Sequence, residues 1–307
     1  MRVTNQMIVT NSLNNLNRGL ERMHYLSHRL AAGKKLLVPS DDPIGTGNIM
    51  NMYRGLAETR QYVTNADYGI GIMQAADGAF VNMTETLQRA RELAVYGASS
   101  TLPQDSREAL AKEVDELLDH AVQIANSTYT DVYIFGGQEV TKPPFTIITE
   151  TDEEGNEIIV DVEMQDSSAA GTSINIEIGP ASELEISIPG NKAFADIFDR
   201  LIALSGNLRS GEEGQIEVSE TSIGELEDSI AQVLRYQAEI GAKTKRLEIT
   251  KSRLEELDIN LQTLISKTED IDVAESIMEY KMYENAYRLA LDTTARSVQP
   301  TLLDFLR

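Results

Sequence analysis

The sequence predicts a mainly α protein, an elongated coiled-coil helical bundle formed by the N- and C-terminal regions, with a small β-rich domain inserted between them. Three observations lead to this prediction. Apolar residues recur at steps of three and four over long stretches near both ends of the chain, which is the periodicity of helices that pack along one another. In the middle of the chain the period changes to the alternation typical of strands. Clusters of glycine, serine and proline separate these segments.

The N-terminal part of the chain predicts three helices. The first covers most of residues 11–32 and ends at Gly33, and its apolar positions are Leu13, Leu16, Leu20, Met23 and Leu30. A second, long helix runs to about Tyr96. We expect its start to be capped by the motif Ser40, Asp41, Asp42 and Pro43. A third helix lies between the break "GASSTLPQDS" and Gly136.

The C-terminal part contains the most regular repeat of the sequence. Its sevenfold positions are Leu226, Val233, Ile240, Leu247, Leu254 and Leu261. A periodic helix of this kind, much longer than about 25 residues, is typical of a coiled coil. A final helix from about residue 270 carries Ile277, Tyr280, Tyr287, Leu291 and Val298 before Pro300 ends it. Apolar residues then return at Leu302, Leu303, Phe305 and Leu306. Because chain termini are usually polar, we expect these four residues to dock against a partner surface.

The central segment is predicted to be β-rich. "DEEGN" stands between two β-branched runs, as in a hairpin, and "INIEIGPASELEISI" alternates apolar and polar residues. We therefore expect terminal paired helices at 1–40 and 268–307, a helical rod domain at 41–140 and 220–267, and a small variable β-rich domain at 141–219.

Charge and composition exclude several classes of function. The formal net charge is −22, and residues 141–220 carry 4 basic against 17 acidic side chains. An acidic field repels phosphate, so we expect no nucleic acid as a partner. No apolar run reaches the length of about 18 residues that crosses a bilayer, so we expect no membrane partner. The absence of cysteine excludes disulfides and thiolate catalysis.

No motif in the sequence predicts catalysis. Nucleophile elbows, phosphate loops and dinucleotide fingerprints are missing from the chain. Glu21, His24 and His28 can share one helix face and in principle hold a metal, but the set is incomplete without a further ligand. We therefore expect no catalytic residues, no metal and no cofactor. Two alternatives stay open at this point, a metal-dependent enzyme that uses these three residues and an intracellular coiled-coil regulator.

Two long segments resemble the bacterial flagellin family. They are "RLAAGKKLLVPSDDPIGTGNIM" with "ADYGIGIMQAADGAFVNMTETLQRARELAVYGA" near the N-terminus, and "SKTEDIDVAESIMEYKMYENAYRLALDTTARSVQPTLLDFLR" at the C-terminus. Three features look more like the hook–filament junction members of that family than like filament flagellin. These features are "PSDDP", "YIFGGQEVTKPPF" and the ending "QPTLLDFLR".

The resemblance implies a structural subunit of the bacterial flagellum. Its role would be that of an adaptor that joins the hook, through hook-associated protein 1, to the flagellin filament, with filament flagellin itself as the alternative. Implied partners are hook-associated protein 1, flagellin, other copies of the chain in a ring, and a flagellar export chaperone. The resemblance also implies secretion through the flagellar export channel and terminal helices that become ordered on assembly. The implied assembly interface comprises Leu13, Leu16, Leu20, Met23, Leu30, Ile277, Tyr280, Tyr287, Leu291, Val298, Leu302, Leu303, Phe305 and Leu306.

Overall fold

The computed structural model describes residues 5–99, 102–139, 141–151, 157–164 and 173–298. The helices are α1 (Asn5–Ala32), α2 (Pro43–Gly97), α3 (Gln104–Ala125), α4 (Gly190–Arg209), α5 (Gly211–Glu217), α6 (Ile223–Glu269) and α7 (Val273–Val298), with a π-helical turn (Val218–Ser222) between α5 and α6. The strands are β1 (Thr128–Tyr129), β2 (Val132–Tyr133), β3 (Phe145–Thr151), β4 (Glu157–Met164), β5 (Asn175–Gly179) and β6 (Ser182–Glu185). The predicted fold class, long helices from both termini with small sheets between them, is confirmed.

The described strands form three two-stranded antiparallel sheets, β1–β2, β3–β4 and β5–β6. In β3–β4, Phe145 pairs with Met164 and Thr151 with Glu157. These are the two strands that the sequence predicts on either side of "DEEGN", whose own residues 152–156 lie outside the described part of the chain. The β1–β2 hairpin was not predicted, and its tight turn places Thr130 and Asp131 at positive φ values of 51° and 63°.

The chain divides into two compact units whose boundaries fall inside α2 and α6. The first unit, the terminal unit, comprises Met1–Glu58 and Leu257–Arg307, and the second, the central unit, comprises Thr59–Glu256. The central unit therefore contains the strands together with α3, α4 and most of α2 and α6. The predicted three-part division of the chain remains a prediction.

The core of the central unit combines a heptad interface with an aromatic cluster. The α6 positions Leu226, Val233, Ile240 and Leu247 are buried, as their sevenfold spacing requires in a helix packed along a partner. The ion pairs Arg91–Glu227 and Lys251–Asp67 show that this partner is α2 and that the two helices run antiparallel. Fully burying an apolar side chain of this size contributes about 1.5–3 kcal/mol. The aromatic cluster consists of Phe80, Phe135, Phe145, Phe194, Phe198 and Tyr236.

Side-chain amides attach the strands to the helices of the central unit. Asn126, just after α3, donates to the carbonyl oxygen of Phe145 at 2.9 Å and accepts from the Phe145 amide at 3.0 Å. Asn65 on α2 donates to the carbonyl oxygen of Glu177 in β5 at 2.8 Å. These bonds satisfy strand backbone groups that have no partner in a two-stranded sheet. The strands consequently share the core of the helices around them.

Candidate assembly surface

In the terminal unit, α1 and α7 pack against each other. A methyl group added at Gly19 would lie 3.6 Å from Cδ2 of Tyr287. The guanidinium carbon of Arg22 lies 5.9 Å from the ring centre of Tyr283. Because the residue number rises along α1 while it falls along α7, the two helices are antiparallel.

One stripe of each helix is buried or half-buried, and we assign these two stripes to the contact between the helices and call them the seam. On α1 the seam includes Leu16 and Leu26, which are 7% and 1% exposed. Its remaining members are Met23 and Leu30 of α1 and Tyr280, Tyr283 and Tyr287 of α7, all of which are half-buried. Leu26 and Tyr283 were not among the residues predicted from the sequence. The steps of three and four from Met23 through Leu26 to Leu30, one heptad after Leu16, are the signal that identifies Leu26.

Four other predicted interface residues lie outside the seam and form what we call the ridge. They are Leu13, Leu20, Ile277 and Leu291, with 51%, 37%, 47% and 44% of their surface exposed. At about 100° per residue, Leu13 and Leu20 stand roughly 90° around α1 from the seam. The side chain of Val298 and all of Leu302, Leu303, Phe305 and Leu306 lie outside the described residues.

A groove of about 430 Å³ runs between α1 and α7 on one side of the seam. Its lining includes three small residues, Gly19, Ala286 and Ala290. Arg18 and Arg22 also line the groove, together with the rings of Tyr283 and Tyr287. The guanidinium of Arg22 is held over the ring of Tyr25 as well as that of Tyr283, at 5.5 Å and 5.9 Å. Such cation–π contacts fix the direction of a long side chain.

The loops at the inner ends of α1 and α7 are tied together. Gly33 ends α1 with a φ of 69°, a left-handed conformation that glycine adopts without strain. The amide of Lys35 donates to the carbonyl oxygen of Glu269 at 2.5 Å. The amide of Ile271 donates to the carbonyl oxygen of Gly33 at 3.1 Å. These two bonds form an isolated β-bridge between Lys34 and Asp270. The loop after α1 and the loop before α7 are therefore joined by backbone hydrogen bonds within the terminal unit.

A side-chain cluster that we call the Glu269 clamp reinforces this junction. Lys34 Nζ lies 2.5 Å from Oε1 of Glu269, and the hydroxyl of Tyr53 donates to Oε2 at 2.6 Å. Glu269 is only 8% exposed. The hydrogen bond to its carboxylate raises the pKa of both Lys34 and Tyr53 above their ordinary values. The clamp was not predicted, because its members are 216 and 235 positions apart.

Aspartates begin the helices on both sides of this junction. Oδ1 of Asp42 accepts from the amides of Ile44 and Gly45 at 3.1 Å and 3.0 Å at the start of α2. Oδ2 of Asp41 instead accepts from the loop amides of Leu37 and Val38, at 3.3 Å and 3.4 Å. Ser40 is exposed in the same turn, and Pro43 is the first residue of α2.

Asp272 caps the start of α7 in the same way as Asp42 caps α2. Its Oδ1 accepts hydrogen bonds from the amides of Ala274 and Glu275 at 2.9 Å and 3.1 Å. It was not predicted from the sequence. An acidic residue directly before the apolar run is the signal that identifies it.

The residues considered for metal binding stand apart from the seam. Glu21, His24 and His28 are all exposed on α1. Across the described ranges, no three histidine, cysteine, aspartate or glutamate side chains come close enough to hold a metal ion. No helix in the described part of the chain combines the length and the apolar character needed to cross a membrane.

Family models match both ends of the chain. Residues 3–139 match the bacterial flagellin N-terminal helical region, and residues 223–306 match the bacterial flagellin C-terminal helical region. Together the two matches cover well over half of the sequence. The chain belongs to the bacterial flagellin family. The two matched regions supply α1, α2 and α3 from one end, and α6 and α7 from the other, so the seam of this flagellin-family chain joins one region to the other.

Individual relatives of this flagellin-family chain fall into two groups. Flagellar hook-associated protein 3 of Salmonella typhimurium is 24% identical over 95% of this chain and 96% of its own length. The Escherichia coli protein of the same name is 23% identical over 93% of both chains. Flagellin of Bacillus subtilis is 25% identical over 91% of this chain and 90% of its own length.

Solved structures share the fold. FlgL of Xanthomonas campestris covers 70% of this flagellin-family chain and matches over 99% of its own length, with a TM-score of 0.57 and 17% identity. Flagellar hook associated protein-3 of Legionella pneumophila also covers 70% of this chain and matches over 98% of its own length, with a TM-score of 0.57 and 12% identity. These two solved structures therefore have the fold of this flagellin-family chain.

Proposed function

We propose that this chain is a subunit of the hook–filament junction of the bacterial flagellum, an adaptor that joins the hook to the flagellin filament. The observation that carries the proposal is the end-to-end alignment with flagellar hook-associated protein 3, which includes the central strands as well as both helical ends. The solved structures of proteins with that name or with the name FlgL support the same assignment, because they match over nearly their whole length.

The terminal unit provides a physical reason for assembly. The ridge leaves four large apolar side chains exposed, and Met278, Met282 and Leu289 add another exposed apolar stripe on α7. Removal of apolar surface from water contributes about 25 cal/mol per Å², so such side chains favour contact with a neighbouring subunit. We propose that the assembly interface comprises these helices and the apolar residues Leu302, Leu303, Phe305 and Leu306.

The proposed partners follow from this position in the flagellum. Hook-associated protein 1 would lie on the hook side, flagellin on the filament side, and further copies of the chain beside each subunit. We also propose that the chain is secreted through the flagellar export channel with the help of an export chaperone. Ordering of the terminal helices on assembly would prevent premature pairing, although it lowers the affinity gained per unit of buried area. This role requires no catalytic step and no cofactor.

Filament flagellin is the second candidate function. It is favoured by the Bacillus subtilis flagellin, whose identity of 25% is slightly higher than that of the hook-associated relatives and whose coverage approaches theirs. The two candidates differ in self-assembly, because a filament subunit adds to its own kind without limit while an adaptor does not.

Gene deletion in the source organism, followed by complementation, tests the proposal. We expect the deleted cells to carry hooks without filaments and to release flagellin into the medium, and we expect the intact gene to restore filaments. Purified chain at high concentration should form no long filaments. Growth of long filaments from the purified chain alone would establish the flagellin alternative, and normal filaments on deleted cells would contradict both functions.

A further inference from the structure

We infer that the antiparallel helices α2 and α6 share a hinge at Gly78 and Gly241, where both helices bend together. These two residues, which we call the glycine pair, lie inside the central unit. Every observation that carries the inference lies within one chain, so the inference does not rest on the proposed function. Its failure would leave that function unaffected.

Neither member of the glycine pair is required by space or by backbone conformation. A methyl group added at Gly78 or at Gly241 would meet no atom within 4 Å. At Gly69, by contrast, it would lie 2.7 Å from the side chain of Ile176. Both members of the glycine pair also have the ordinary negative φ of a helix. Because glycine is less favourable than alanine inside a helix, two glycines at positions where alanine would fit need another explanation.

The glycine pair stands at one level of the two helices. The ion pair Lys251–Asp67 gives the antiparallel alignment of α6 with α2. Counted from this ion pair, Gly78 is 11 residues along α2 and Gly241 is 10 residues along α6. At 1.5 Å per residue, the two glycines therefore differ in level by about 1.5 Å. Both helices are weakened at the same point.

The side of the helix pair that carries the glycines is open, while the opposite side is filled. Gly241 lines a cleft of about 290 Å³ between α2 and α6. Gln74 lines the same cleft from α2, and Gly78 lies one turn further along the same face. About 200° around α2 from Gly78, Phe80 is fully buried and stacks on Tyr236 of α6, with ring centres 5.8 Å apart. A bend at this level can therefore use the open side while the aromatic cluster keeps the helices in contact.

A bend in one of these helices requires a bend in the other. Val233 and Leu247, which are buried on either side of the glycine level, hold α6 against α2. Ion pairs join the two helices further along in both directions. A single open glycine would therefore be opposed by the unbroken partner helix. Glycine in both helices at one level removes this restraint, since glycine gives the backbone wide conformational freedom.

Hydrogen exchange of the purified chain tests the hinge. In an α-helix, the amide of Asn82 donates to the carbonyl oxygen of Gly78, and the amide of Lys245 donates to that of Gly241. A joint opening exposes both amides, so Gly78→Ala should raise protection about fivefold at Lys245 as well as at Asn82. Gly241→Ala should have the same effect at both amides. The double variant should raise protection about 25-fold at each of them, because both substitutions oppose one opening.

Gly224→Ala is the matched control. Gly224 also lies in α6, and a methyl group added there would meet no atom within 4 Å. Its level on α2, counted from the ion pair of Glu227 with Arg91, is that of Ala94, so no glycine opposes it. We expect about fivefold higher protection at the amide of Asp228, one turn after the substitution. Protection at the two amides of the hinge test should not change.

Three results would overturn the inference. If each substitution raised protection only in its own helix, the two glycines would act separately. If Gly224→Ala changed exchange at Asn82 and Lys245 as much as the other substitutions do, these amides would exchange only through unfolding of the whole central unit. If alanine left protection unchanged or lowered it, the glycine pair would not be a weak point of the two helices.

Discussion

Tyr53 donates a hydrogen bond of 2.6 Å to Oε2 of Glu269, which joins the beginning of α2 to the last residue of α6. Lys34 approaches the other carboxylate oxygen of Glu269 at 2.5 Å. Both oxygens of one largely buried carboxylate are thus engaged by residues from the N-terminal part of the chain. The Glu269 clamp therefore holds the segments before α2 and after α6 together at the base of the α1–α7 pair.

Removal of the carboxylate should loosen this base. In Glu269→Ala, Tyr53 and Lys34 lose a charged partner, and we expect the free energy for opening of the junction to fall by about 1–3 kcal/mol. Hydrogen exchange of the Lys35 and Ile271 amides measures this opening. Glu256→Ala removes an exposed carboxylate from the same helix and should change exchange little. Equal exchange in the two variants would show that the clamp adds nothing to the backbone bonds.

The clamp should also weaken at alkaline pH. The hydrogen bond to Glu269 raises the pKa of Tyr53 and of Lys34 in the folded chain. A raised pKa in the folded state gives stabilisation that is complete below the unfolded pKa and is lost as the pH rises through the folded pKa. The ordinary values are 10.0 for Tyr53 and 10.5 for Lys34, so the loss should begin above them.

Amide exchange at Lys35, corrected for the intrinsic pH dependence, measures this alkaline loss. We expect its protection to be constant between neutral pH and the ordinary pKa of Tyr53 and to decline above it. The double variant Tyr53→Phe with Lys34→Met lacks both titrating groups, so its protection should decline less. An equal decline of protection in the natural chain and in the double variant would show that groups other than Tyr53 and Lys34 cause the alkaline loss.

Seam and ridge residues of α1 should respond differently to truncation. Leu26 is 1% exposed while Leu13 is 51% exposed. Leu26→Ala leaves a cavity between α1 and α7, so we expect the free energy for opening of the pair to fall by about 2–4 kcal/mol. Leu13→Ala should change that free energy by less than about 0.5 kcal/mol, because its side chain is largely in water.

Hydrogen exchange along α1 in the purified chain, together with the amount of chain found in flagella, separates these effects. Leu13→Ala should lower incorporation without lowering exchange protection. A large loss of protection in Leu13→Ala would mean that the ridge belongs to the intrachain contact, and full incorporation would remove Leu13 from the assembly interface.

Asn126 should be important for attachment of the strands in the central unit. Asn126→Ala removes both bonds to the buried backbone of Phe145, and unsatisfied buried groups cost about 1–3 kcal/mol each. We expect the midpoint of urea unfolding of the central unit to decrease. Gln123→Ala, one turn earlier on an exposed surface of α3, should leave it nearly unchanged. Similar midpoints for the two variants would show that the strands are held by packing alone.

The accuracy of sequence-based prediction differs between the two long helical ends. For α6 the heptad positions predicted its buried side, because Leu226 through Leu254 form a single apolar stripe and all are buried. For α1 the apolar residues occupy two neighbouring stripes, and periodicity alone does not say which stripe faces α7. Leu13 and Leu20 were therefore grouped with Leu16, although the structure exposes the first two and buries the third.

Two other features were beyond prediction for physical reasons. The β1–β2 turn has Thr130 and Asp131 at positive φ. Tight hairpins usually carry Asn-Gly, Asp-Gly or Gly-Gly at these two positions. The Glu269 clamp depends on residues brought together only by the fold, and each of them has an ordinary local sequence. The Asp42 cap, by contrast, follows from its position directly before Pro43 and an apolar helix.

The terminal helices of the free chain should be far more sensitive to protease than the central unit. Among the described side chains, α7 contributes no fully buried apolar residue, and α1 contributes Leu16 and Leu26. Burial of so little apolar surface offsets only a small part of the conformational entropy lost when two long helices are ordered. The pair is therefore expected to open more readily than the central unit in a dilute monomer and to be further stabilised by neighbouring subunits.

Limited trypsin digestion of dilute chain, followed by mass measurement, tests this expectation. Cleavage should begin at exposed sites such as Arg18, Lys281 and Arg288 and leave a core near residues 40–268. The same sites should be protected in assembled flagella. If the dilute full-length chain resisted digestion, the seam would be stable without neighbouring subunits. The proposal that residues 1–40 and 268–307 become ordered on assembly would then be wrong. If these sites were cleaved equally in flagella and in monomer, the terminal unit would not be covered by other subunits.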